Sequence, residues 1–486
     1  MRFRVWIRRA RALLLAWALL LSLSGVASAD DETDDLMGGF DDDFDASQIG
    51  NQDDRVHPWL AAIPFGDVLA ERVDLSGSLA TGIVYNYRPH SVTHGDDPSR
   101  RTNYGNLSRL DLDAFLQLDV QLTSDWQLRA EALGWYDFVY RAKGRGNYGG
   151  AVIDVYEWQV DSGEVYITGP LSDEIDVTIG RKIVNWGRSD TFRIVDVVNP
   201  LDQKEPGLVD IEDLRRPRSM LKLDASSGPW SGTLLVIPER RYDRRPPPGS
   251  DFFPDGLGSP PIDSDGDFEQ MPDLAAKFGG SFSGWDFTLY GAYVDESSRV
   301  VDFTAAGLPR SKANRFGLFG AAGNYTVASW LFKIETAFLT DLHVLRAQGG
   351  SPVPKGDDAD RIDTMLGVEY FGPDDLMVAL EVVNRHFLRS TSQFISANLQ
   401  TDQSRFETAL RISRPFFRER LDITLLGVVI GERFHKGGLV RASGDFELTD
   451  SWLMTAGLLA FFGGPDDALG NFDSNDRLFM EIKYSF

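Results

Sequence analysis

Residues 110–122 read LDLDAFLQLDVQL. Leu110, Leu112, Ala114, Leu116, Leu118, Val120 and Leu122 are apolar. Of the residues between them only Phe115 is; Asp111, Asp113, Gln117, Asp119 and Gln121 are polar. A period of two sends these sets to opposite faces and predicts a strand with one greasy and one wet side. The next run repeats the pattern, with Trp126, Leu128, Ala130, Ala132, Tyr136, Phe138 and Tyr140 against Gln127, Arg129, Glu131 and Asp137. Val440, Ala442, Phe446 and Leu448 alternate in the same way with Arg441, Ser443, Asp445 and Glu447. A soluble sandwich alternates too, so the connections have to decide.

Tight connections fall at Thr123-Ser124-Asp125, Ser227-Gly228-Pro229, Ser283-Gly284, Ala328-Ser329 and Thr449-Asp450-Ser451. Each is followed at once by Trp (126, 230, 285, 330, 452), so five of the eleven Trp share one position. Further short turns are expected at 170–173, 372–375 and 415–419. Longer polar stretches lie between them, at 89–106, 142–152, 187–217, 239–272, 297–312, 344–360, 389–402 and 464–475. Short turns at one rim, long loops at the other and an aromatic ring at the short-turn rim describe a transmembrane antiparallel β-barrel. Eight short turns separate nine hairpins, hence about 18 strands over residues 72–486, with 16 as the alternative count. Closure also removes the unpaired edges that lipid does not tolerate.

The last strand agrees. Leu478, Met480, Ile482, Tyr484 and Phe486 alternate with Arg477, Glu481, Lys483 and Ser485, and the chain stops on Phe. This ending resembles that of bacterial outer-membrane proteins. The resemblance implies that Tyr484 and Phe486 form the signal read by the barrel-assembly machinery.

Residues 1–29 read as a secretory signal peptide. Five Arg and no acid occupy positions 1–11, the apolar block ALLLAWALLLSLSGV fills 12–26, and Ala27-Ser28-Ala29 supplies a small-residue cleavage pattern. Fifteen apolar residues fall short of a spanning helix, and no later segment is long enough. Residues 30–54 hold eleven acids and no base and read as a solvated periplasmic tail. Residues 56–71 are expected to form a short helix or plug, completing a 30–71 leader to the barrel.

The composition excludes several chemistries. With no Cys among 486 residues there are no disulfides, thiolate metal sites or thiol nucleophiles. A net charge of −24, or −29 once residues 1–29 are removed, makes nucleic acid a poor partner. No G-x-S-x-G, H-E-x-x-H or P-loop occurs. His343 and His386 stand near expected strand ends and read as ordinary rim histidines. Asp263-Ser264-Asp265-Gly266-Asp267 imitates a calcium loop, but Leu274 stands where its last ligand belongs. No enzyme, cofactor or metal is expected. The expected partners are outer-membrane lipid and lipopolysaccharide, with divalent cations bridging that acidic loop.

Residues 180–224 break the strand rhythm: GRKIVNWGRSDTFRIVDVVNPLDQKEPGLVDIEDLRRPRSMLKLD. From 181 to 245 there are thirteen Lys and Arg against ten acids, a local excess of three positive charges in an acidic protein. An insert of this kind is expected to fold inward as a constriction or plug. Arg181, Arg188, Arg193, Arg215 and Arg216 would then face a passing anion, oriented by Asp190, Asp196, Asp202 and Asp213.

The order Gly180-Arg181, Trp186-Gly187, Asn199-Pro200 and Asp202 resembles a poorly characterised family of Gram-negative outer-membrane barrels and, more distantly, porin-like and alginate-export-type channels. That resemblance implies transport across the outer membrane, and an inner-membrane exporter as a conceivable partner. The expected function is a channel for a polar, anionic solute or polymer. The alternative is a plugged structural or docking barrel of an envelope export system.

Overall fold

The computed structural model describes residues 72–486 except 89, 209–212, 254–270, 305–306, 349–350, 391–393, 396–401, 433–435 and 464–471. The expected signal peptide, acidic tail and 56–71 helix or plug, and the calcium-like loop, lie outside the described residues.

Besides the two-residue strand Phe394–Ile395, which pairs with Leu345 and Arg346, eighteen strands form one closed antiparallel sheet. They are β1 Val73–Asn86, β2 Asn106–Gln121, β3 Gln127–Asp137, β4 Trp158–Ser172, β5 Ile175–Lys182 and β6 Arg218–Ser227. Next come β7 Trp230–Ile237, β8 Asp273–Phe282, β9 Trp285–Asp295, β10 Arg315–Val327, β11 Trp330–Gln348 and β12 Ser351–Phe371. The last six are β13 Met377–Phe387, β14 Ser404–Phe416, β15 Leu421–Ile430, β16 Gly438–Thr449, β17 Trp452–Phe462 and β18 Arg477–Ser485. Each strand pairs with its neighbours in sequence. β1 closes the ring on β18 in the register Ser78↔Ser485 to Asn86↔Arg477. Gly77 and Phe486 exchange both backbone hydrogen bonds at 3.0 Å, so the terminal residue is part of the seam.

The alternation has the expected sense. Leu112, Leu116, Leu448, Leu478 and Met480 are exposed on the outside, while Asp111 is buried inward. All eight short turns are present, but those expected at 170–173 and 415–419 lie slightly later, at 173–174 and 417–420, because their leading strands run on to Ser172 and Phe416. Gly228 and Gly284 take positive φ (59° and 78°), as two-residue hairpins require. Trp230, Trp285, Trp330 and Trp452 open their strands and are exposed at one rim. There they stack or tilt against Phe278, Phe282, Phe332, Tyr370 and Tyr484.

Three details differ from the sequence reading. Residues 344–360 are not a loop: β11 and β12 run on as a long hairpin. Its polar residues mislead because apolar contact there is confined to a small cluster of Val344, Ala359, Phe387 and Phe394, while Arg346 pairs with Asp357 at the partly exposed face (3.1 Å). β3 stops at Asp137, and Phe138 and Tyr140 belong to a helical turn, Val139–Ala142. Tyr140 is buried there with Tyr104 and Tyr148 in a tyrosine-rich cap. The short connection 431–437, with Gly431 and Gly437 at positive φ, is a further loop at the long-loop rim.

The largest apolar core lies inside the ring. Val184, Trp186, Ile194, Val195 and Val198, between β5 and β6, pack on inward residues of β6–β13, including Leu235, Ile237, Leu318, Leu339, Met365 and Val383. Both faces of these strands therefore carry apolar side chains near the long-loop end, one set outward and one against the insert.

Candidate functional site: an insert across the lumen

The insert is residues 183–217. Its first arm reaches β9, β11 and β13. Glu335 of β11, only 1% exposed, accepts the amides of Arg188 (2.6 Å) and Val195 (2.8 Å). Glu381 of β13 accepts the amides of Asp190 (2.9 Å) and Thr191 (3.3 Å) and the Ser189 hydroxyl (2.7 Å). A carboxylate holding several N–H groups satisfies donors that would otherwise be stranded in the apolar core. Gly187 makes the approach feasible: it has φ 98°, and a Cβ there would lie 2.8 Å from Glu335 Oε1.

Asn199 turns the chain back. Its Oδ1 accepts the Val184 amide (2.9 Å), and its Nδ2 donates to the carbonyls of Arg216 (2.9 Å) and Lys182 (3.3 Å). The second arm runs the other way, to β2, β16 and β17. Glu205 pairs with Arg109 (2.8 Å), Leu208 packs with Phe252, Leu459 and Phe461, and Gly207 abuts Leu439 and Leu459. The insert thus touches well-separated parts of the wall.

Eight of the nine sequence-nominated residues, all but Asp213, fall into separate groups. Arg188 is drawn to the wall by Asp286 (2.6 Å) and Thr288 (3.2 Å). Asp190 takes Lys333 (3.0 Å), which also pairs with Glu369, rather than an arginine. Arg193 and Arg215 share Asp196 at 3.2 and 3.1 Å. Asp202 binds Arg244 (3.1 Å) and Lys204 (3.5 Å), and Arg216 lies near Arg241 and Arg244. Arg181 stands apart, on Glu239 (2.7 Å) and the Ser162 hydroxyl (2.8 Å).

The sequence reading missed the wall residues that complete the Arg193 group. Arg385 of β13 donates to the Arg193 carbonyl (3.1 Å) and pairs with Asp363 (2.5 Å) and Glu407 (3.1 Å). Arg361 also holds Asp363 (2.7 Å), and Arg405 also holds Glu407. Arg385 and Arg405 are direct cross-strand partners. Five guanidiniums therefore share three carboxylates. The arginine side chains keep 7–18% exposure and the carboxylates only 1–6%. The cations stand in front and the acids behind. Next to this group, the inner face of β14–β16 is left half-covered at Arg411, Leu426, Val428 and Arg441, whereas the inner face under the first arm is buried.

Charge placement within the insert follows from burial and neighbours. Burial and the adjacent Arg244 and Arg241 push Arg216 down to about 10. Burial lowers Lys204, which sits 4.1 Å from the Trp135 ring centre. Burial alone would raise Glu205, but Arg109, Arg477 and Lys204 hold it below the usual carboxylate range.

The chain belongs to the family described as Protein of unknown function (DUF1302), which matches residues 9–486. No curated protein matches it. Among solved structures it is similar to OccAB1 of Acinetobacter baumannii, with 10% identity, 85% of this chain and 96% of that chain covered, and a TM-score of 0.49. It is also similar to OccK8 (OprE) of Pseudomonas aeruginosa, with 8% identity, 86% and 98% covered, and a TM-score of 0.48. A BenF-like porin from Pseudomonas fluorescens Pf-5 gives 8% identity, 85% and 98% covered, and a TM-score of 0.46.

Proposed function

We propose that this DUF1302 chain is an outer-membrane channel whose narrow section, between the insert and the inner face of β13–β16, favours small anionic polar solutes. One observation carries this reading: the five guanidiniums at that level are the reachable groups, and their three carboxylates are shielded behind them. A solute passing in the gap meets positive charge first. In a narrow, partly dry passage that local charge outweighs the acidic remainder of the protein, which salt screens beyond about 8–10 Å. The exposed outer alternates and the rim Trp suit a lipid-spanning wall. Residues 1–29 would direct export across the inner membrane, and Tyr484 and Phe486 would present the barrel to its assembly machinery.

The second reading, a closed docking barrel, draws support from the anchoring of the insert at well-separated walls. Purified protein in planar lipid bilayers separates the two. The channel reading expects steady unitary currents, and persistent silence of folded protein would favour the docking barrel.

A further inference from the structure

We infer that the long-loop side of the insert holds a second anion site, in which Arg216, Arg241 and Arg244 receive a carboxylate or phosphate group of the solute. The inference deepens the channel reading and rests on it for the solute's route. Its geometry is separate from the Arg193 group.

Three segments bring the site together: Asp161 of β4, the insert residues Asp202, Lys204 and Arg216, and the stretch 241–244 after β7. Asp161 Oδ2 accepts Arg241 Nη2 at 3.0 Å and Arg244 Nη2 at 2.7 Å. Asp202 takes the other side of Arg244 and Lys204. Asp243 is committed elsewhere, accepting the Leu201 amide (2.7 Å) and the hydroxyls of Ser297 (3.1 Å) and Ser298 (2.6 Å). Four cations, Lys204, Arg216, Arg241 and Arg244, thus face two carboxylates.

Arg216 is the member left over. Its backbone is fixed at both ends: its amide donates to Pro200 O (2.8 Å), and its carbonyl receives Asn199. Its Nη1 donates to the Tyr242 carbonyl (2.6 Å), while its Nε is buried and without a partner. Among the described residues no carboxylate pairs with it. A guanidinium held rigidly beside two others, with donors unspent, is unfavourable in isolation and becomes favourable once an oxyanion arrives. The planar fork suits a group with two or three oxygens, which can bridge Arg216 and Arg244. The side chains of Arg241, Arg244 and Asp161 keep 11–25% exposure, so the site is reachable.

The test is isothermal titration of the folded full chain in detergent micelles with citrate and, separately, inorganic phosphate. Arg216→Gln should weaken binding by about tenfold or more, the loss expected for charge-assisted hydrogen bonds. Asp161→Asn should tighten it, because a competing carboxylate charge is removed; a merely destabilised barrel would not do this. Arg346→Gln, on the long hairpin of β11 and β12 and paired there with Asp357, should leave this component within about twofold. Citrate binding without phosphate binding assigns the site to carboxylates, and the reverse to phosphates. No binding of either ion to the wild type, or binding that Arg216→Gln leaves unchanged, overturns the inference. The titration needs no open pore, so silent bilayers would defeat the channel reading alone, and steady currents with a blank titration would defeat the site alone.

Discussion

Replacing Glu335 and Glu381 by Ala should free the first arm of the insert and widen the passage. Glu335 holds two amides, and Glu381 holds two amides and a hydroxyl. Each buried amide stranded by truncation costs about 1–3 kcal/mol. Glu335→Ala alone therefore costs roughly 2–6 kcal/mol, and the double change, with four stranded amides, roughly 4–12. Against this, the arm is held by the apolar side chains of Trp186, Ile194, Val195 and Val198, each at most 6% exposed. At about 1.5–3 kcal/mol apiece they supply roughly 6–12 kcal/mol. The single variant should keep its insert docked with larger current fluctuations. The double variant should populate a released state, because water in the lumen solvates the amides once the arm leaves. Unitary conductance and open-channel noise should rise in that order, and trypsin should cleave after Arg188 or Arg193 faster than in the wild type. A double variant that remains heat-modifiable on gels, yet shows unchanged conductance, noise and cleavage, would refute the claim that these carboxylates hold the insert.

Further outcomes follow from the register and the seam. Leu116→Arg places a charge on the outer face and should cost roughly 2–4 kcal/mol of barrel stability, read as a lower unfolding midpoint in denaturant. Gln117→Arg, on the inner face where Gln117 already bonds Asp119 (2.7 Å), should be tolerated; the opposite ranking would mean a one-residue error in register. Deleting Phe486 removes both backbone bonds to Gly77 and should reduce folded protein in the outer membrane, measured by fractionation. Gly187→Ala should raise channel noise by pushing the arm off Glu335, because its Cβ would enter contact distance at an unfavourable positive φ.

The barrel was legible because its rule is local. Alternation in 110–122 and Trp after a short turn each need only a few consecutive residues to be read, and the turn count yields the strand number directly. The inward fold of 183–217 was legible too, from its length and mixed charge. Its partners were not. Glu335, Asp363, Arg385, Arg405 and Glu407 look in sequence like ordinary polar alternates of strands, and only the curvature of the closed sheet brings Glu335 and Arg385 onto the insert and the other three beside Arg385. A subtler signal was present: Leu234-Leu235-Val236-Ile237, Phe338-Leu339 and Val382-Val383 are apolar on both parities. Such runs mark inner walls covered by something apolar, here Trp186, Ile194, Val195 and Val198. The expected pairing of Asp190 with an arginine failed for a related reason: Lys333 comes from β11, far away in sequence.

The central claim is that cations stand in front of their acids at the narrow section, and the reversal potential across a KCl gradient tests it most directly. A wild-type channel should reverse at the sign set by chloride despite a formal net charge of −24. Arg193→Gln combined with Arg405→Gln should move the reversal potential toward cation selectivity without loss of folded protein. A wild-type channel that reverses at the sign set by potassium, or a double variant whose reversal potential does not move, would contradict the account.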